Sequence, residues 1–153
     1  MFEGVGPLPG EEAAIWATFE KRLADSLISL LTSAGIYLKD KQPSFDLEHE
    51  QTNPEWGDPS WRSIPAGYLP DDIGVAHLHI NEEDVLADPE VALPAHLLDR
   101  LAAEGVIGSA AAEHLSLMGY QERNLDVWRD KTVHELVARL RDQGVDGLIL
   151  APA

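Results

Sequence analysis

The chain has 153 residues, of which 27 are acidic and 11 basic, for a formal net charge of −16. That balance repels phosphate backbones and anionic lipid and argues against nucleic-acid and membrane-surface roles. There is no cysteine, so disulfides, thiolate nucleophiles and Cys-ligated metals are excluded within these residues.

The length fits one domain with a single core. Residues 1–10 hold three Gly and two Pro and read as an irregular arm with no basic, signal-like start. A cytoplasmic location is the default expectation. Residues 11–153 read as one α/β domain. From Glu11 to about Ala24, Ile15, Phe19 and Leu23 recur every four residues, which predicts a helix. "LISLLT", 27–32, is an apolar run of strand length, far too short to span a bilayer.

Residues 39–72 form a long polar stretch with five Pro. Phe45, Trp56, Trp61 and Tyr68 argue that this loop is ordered, because disordered segments are poor in aromatics. "IGVAHLHI", 73–80, reads as a second strand, with His77 and His79 on one face. "LPAHLLDRLAAEG", 93–105, predicts a helix that Gly105 ends. "VIGSA" is a short strand or strand-like turn, and "AAEHLSLMGY" carries a loop histidine, His114. A further helix lies within 127–143, with capping-box spacing at Thr132 and Glu135. "VDGLILAPA" is the last strand.

Strands apolar on both faces that alternate with helices imply a buried parallel sheet. The expected architecture is a Rossmann-like three-layer sandwich with a small, mostly parallel sheet. Ligands of such sheets bind beyond the carboxyl ends of the strands. Three segments should meet there: Ser33-Ala34-Gly35 with the long loop, His79 to Asp84, and Ala151-Pro152-Ala153.

Two imidazoles on one strand face could bind a divalent metal ion, with Asp46, His49, Glu82, Glu83 or His114 as a third ligand. They could equally act as general acid and base, or be satisfied polar residues under a loop. Arg62 has the planar fork that clamps a carboxylate, yet could pair with Asp58 or Asp46 instead. His96 and His134 read as surface residues. There is no G-x-G-x-x-G, Walker lysine or Gly-x-Ser-x-Gly elbow.

The pattern "TSAGIYL…FDLE…GDPSWRSIP…VAHLHI…ALPAHLLDRLAAEGVIGSAAAEHLSLMGY…VDGLILAPA" resembles the selenoprotein B family of glycine, sarcosine, betaine and D-proline reductases. It is closest in look to the family's short single-domain members. The resemblance runs from about Leu27 to Ala153 and implies an α/β fold with reductive cleavage of C–N bonds in small amino-acid-like substrates. The family's redox centre is a cysteine or selenocysteine just after the last strand, and this sequence has neither.

What carries over is a pocket. The resemblance implies catalytic roles for His77, His79 and His114, and substrate contacts from Asp46, Asp58, Ser60, Arg62, Ser116 and Tyr120. The expected function is that of a reductase-family-like enzyme without its own thiol or selenol centre, with His-based acid–base or metal-assisted chemistry of lyase, isomerase or cyclase type on a small amino-acid-like substrate. The alternatives are a subunit of a two-component reductase whose redox residue lies on a partner chain, and a non-catalytic binding or scaffolding protein. A homodimer is a further expectation, since the terminal strand is apolar and the sheet has an edge.

Overall fold

A computed structural model describes residues 18–121 and 125–153. The arm at 1–10 and the first half of the helix expected at 11–24 lie outside these residues. Within the described part of that helix only Leu23–Asp25 is helical, as a single 3-10 turn.

The fold is α/β, with a mostly parallel sheet built around β1 (Leu27–Thr32). β1 pairs in parallel with β5 (Ser109–Ala110), β6 (Glu113–Leu117) and β7 (Gly147–Ala151). β7 matches β1 from Ile28 to Thr32, so β5 and β6 share the other side of β1, one after the other. β3 (Trp61–Pro65) closes the β6 side in antiparallel register.

Alternate residues of the strands feed two separate cores. Ile28 and Leu30 pack with Leu98 of α3 (Ala95–Ala103) and Ile107. Leu31, Leu115 and Leu117 pack with Leu136 and Leu140 of α5 (Val133–Asp142). A helix therefore covers each face, which is why β1 is apolar in both directions.

The long loop at 39–72 is not featureless. It contains α1 (Leu47–Thr52) and β3, an antiparallel strand with no alternating pattern strong enough to announce it. The strand expected at 73–80 is also corrected. β4 spans only Ile73–Val75 and pairs with β2 (Ile36–Leu38) in a separate antiparallel ribbon. It stops because the His77 side chain captures local backbone: Nδ1 accepts the His79 N–H at 3.1 Å. A side chain that bonds its own backbone competes with strand pairing in this way.

Two further expectations change. "AAEHLSLMGY" is the strand β6 and not a loop. The Thr132–Glu135 capping box does not form, because Thr132 is itself helical and its hydroxyl donates to Pro59 O at 2.7 Å. α4 (Leu125–Val127) and a π-helical stretch, Trp128–Thr132, run directly into α5. No helix among the described residues is long and apolar enough to cross a membrane.

Candidate functional site

A cavity of about 450 Å³ opens beyond the carboxyl ends of β1, β6 and β7. Ser33, His77, His79, Gly119, Tyr120 and Trp128 line it, with Leu150 to Ala153 along one wall. Of the three segments expected at this end of the sheet, Ser33, His79 and Ala151 to Ala153 line the cavity, whereas no described residue of the long loop at 39–72 does. β2 and α2 (Glu82–Ala87) flank the turn that carries the histidines.

The turn is fixed by a glycine. Gly35 has φ +63°, and a Cβ there would lie 2.2 Å from Ala76 O. Only glycine lets β1's exit abut the backbone immediately before His77. Ala76 N then donates to Gly35 O at 3.0 Å. Gly57 does the same for the far wall, since a Cβ there would meet Tyr120 O at 1.7 Å.

His77 is buried, with 4% of its surface exposed. Its Nδ1 accepts a backbone N–H, so the ring proton sits on Nε2, which has no hydrogen-bond partner among the described residues. Burial, with the neighbouring His79, holds the His77 pKa below its ordinary value, so the ring is neutral near pH 7. His79 is about half exposed and its ring meets His77 edge-on at 5.9 Å. Its other side lies against Tyr120, centroids 4.7 Å apart.

Behind His79 stands Glu50, which no motif in the sequence singled out. Its side chain is sealed from solvent, and among the described residues neither carboxyl oxygen has a hydrogen bond. Oε1 lies 3.5 Å from His79 Nε2. Burial raises the Glu50 pKa; His79 opposes the rise and Asp58 adds to it. A faint signal existed: Glu50 lies one helical turn after Leu47, which packs on the Phe45–Met118 cluster, so the two share an inward face. Trp128 was also missed as a wall of the cavity, and its Nε1 is buried without a partner.

The other candidate residues go elsewhere. Arg62 is buried and its donors are taken: Nε by Pro43 O, one terminal nitrogen by Ser60 Oγ and Trp61 O, the other by Ser44 O. Its guanidinium lies over the Phe45 ring at 4.2 Å. Asp58 accepts from the backbone N–H of Asp46 and from Ser60, and Asp46 caps α1 by accepting from His49 N. Asp46, Asp58, Ser60 and Arg62 thus form the frame that holds α1, and with it Glu50, in place.

His114 and Ser116 lie on the β6 face opposite Leu115 and Leu117, turned away from the cavity. His114 Nδ1 contacts Leu30 N at 3.3 Å and Ser29 Oγ at 3.4 Å. Tyr120 reaches the cavity with its ring, while its hydroxyl donates to Pro54 O at 2.6 Å. Among the described residues no three His, Asp or Glu side chains group as a metal site.

Fold and site together define an α/β domain with a histidine–carboxylate couple at the ligand end of its sheet. No family model and no solved structure matches the chain. The sequence is 30% identical over 137 residues to D-proline reductase subunit gamma of Acetoanaerobium sticklandii, which is 89% of this chain and 52% of that protein. The chain spans about half the length of this curated relative, and the similarity supports a distant relationship to a reductase subunit.

Proposed function

We propose that this chain is the substrate-cavity component of a reductase assembly acting on a small amino-acid-like molecule. In this reading His79, backed by Glu50, delivers the proton. Reductive opening of a C–N bond takes up two electrons and two protons, and the departing amine leaves with one of the protons. The electrons come from a dithiol or a thiol–selenol pair outside these 153 residues, which contain no sulfur nucleophile. The resemblance to the selenoprotein B family and the relative's name support that division of labour.

The observation that carries the reading is the sealed Glu50 carboxylate, among the described residues unpaired except for His79 at 3.5 Å, which itself lines the cavity. A buried acid without a hydrogen bond destabilises the fold, and such groups cluster at functional sites.

The test is calorimetric and NMR titration of the purified chain with D-proline, glycine and glycine betaine. At least one should bind saturably, with affinity falling tenfold or more in His79→Ala and Glu50→Gln while both stay folded. If none of the three binds, or both variants bind as wild type does, the reading is wrong.

A further inference from the structure

Among the described residues β7 is bonded on one side only. Among the described residues its sole strand partner is β1, which leaves a row of backbone donors and acceptors free along the other side. Natural sheet edges are normally blunted with charge, proline or a bulge. From Gly147 to Ala151 this one has none of these. Instead Leu148, Ile149 and Leu150 are exposed by 37%, 48% and 65%. The adjoining groove, about 660 Å³, is walled by further apolar side chains, including the exposed Phe19, Leu23 and Val106.

Two facts say what fits this edge. The first is charge. The chain is strongly acidic overall, but Asp146, the acid that directly precedes the strand in sequence, is paired with Lys21 at 2.7 Å, and Gly147 to Ala151 carry no charge, so the edge itself adds no unpaired acid to the contact. The second is area. Six large apolar side chains exposed by about half present on the order of 500 Å² of apolar surface. With the main chain of the free edge, this approaches the roughly 800 Å² per partner of a stable interface.

The strand is also nearly symmetric, Gly-Leu-Ile-Leu-Ala about Ile149. In an antiparallel pair about a two-fold axis there, Ile149 faces the partner's Ile149 and Leu148 faces the partner's Leu150. A self-complementary patch of this kind is what a two-fold interface needs.

We propose that two copies of this chain associate through β7, joining their sheets into one continuous sheet. Leu150 and Ala151 also wall the His77 cavity, so the start of the partner's β7 would close that side of each site. The cysteine-free sequence allows a direct test. Wild type should sediment at twice the chain mass, and folded Ile149→Lys should sediment as a monomer. Under mild oxidation Ile149→Cys should crosslink to itself. Leu148→Cys should not crosslink alone but should do so when mixed with Leu150→Cys, because only directly opposed residues come within disulfide reach. A wild-type monomer at every concentration overturns the proposal, whether the edge is left bare or covered by residues 1–17. So does a dimer in which the Leu148 and Ile149 cysteine variants crosslink equally.

Discussion

His79 Nε2 stands 3.5 Å from a Glu50 carboxylate that is sealed from solvent and makes no hydrogen bond among the described residues. Burial holds the Glu50 pKa above its ordinary 4.5. An acid whose folded pKa is raised favours the folded state at low pH, and that contribution is lost as pH rises through the folded value. Glu50→Gln removes the charge and keeps the shape. It should therefore raise the melting temperature at pH 7 relative to wild type, with the difference shrinking as pH falls toward 4.5. Thermal melts of both proteins across that range would show it; a Gln variant that is less stable at pH 7 contradicts the argument.

His114 gives the opposite slope on the other face of the sheet. Burial lowers its pKa from 6.5 to about 4. The unfolded chain takes up this proton below pH 6.5 and the folded chain does not until about 4. Stability from this group is complete above pH 6.5 and is lost progressively down to about pH 4, by about 3 kcal/mol at the limit. His114→Gln should flatten that segment of a stability–pH curve measured by urea denaturation. An unchanged slope would show that another group titrates there.

Arg62 serves backbone carbonyls at Pro43, Ser44 and Trp61 and not a ligand. A lysine cannot reproduce the planar fork or its stacking on Phe45. Arg62→Lys should cost about 2–3 kcal/mol of stability, read from denaturant midpoints. Any ligand binding left in the folded fraction should keep its wild-type affinity, which distinguishes a frame residue from a carboxylate clamp.

Glu90 caps α3 from outside the helix. Its carboxylate accepts from His96 N and Leu97 N, each at 3.1 Å, where Pro94 provides no side-chain cap. It also accepts from Tyr68 Oη at 2.8 Å. Burial opposes the charge, but the bonds from Tyr68, His96 and Leu97 outweigh it and lower the pKa. That stabilisation is present above pH 4.5 and is lost as pH falls through the lowered value. Glu90→Ala should cost about 1–2 kcal/mol at pH 7, with α3 amides exchanging faster in hydrogen-exchange NMR.

The sequence by itself determined the α/β class, an apolar strand at 27–32, a last strand within 145–153, and a helix within 93–105. These are legible because apolar periodicity, Pro and Gly placement and strand polarity are local or follow from fold class. It also ruled out a thiol centre within these residues. Only the tertiary structure decided which side chains share the cavity. His77 and His79 arrive there on a turn and not a strand, because one imidazole bonds the next residue's backbone and Gly35 admits that turn against β1. Arg62 and Asp58 turn inward to hold the loop, and His114 lands on the far face of β6. Glu50 is set apart from its acidic neighbours along the chain only faintly, by its one-turn spacing from Leu47. What sets it apart firmly is burial, and burial depends on elements distant in sequence folding over α1, which no short-range pattern records.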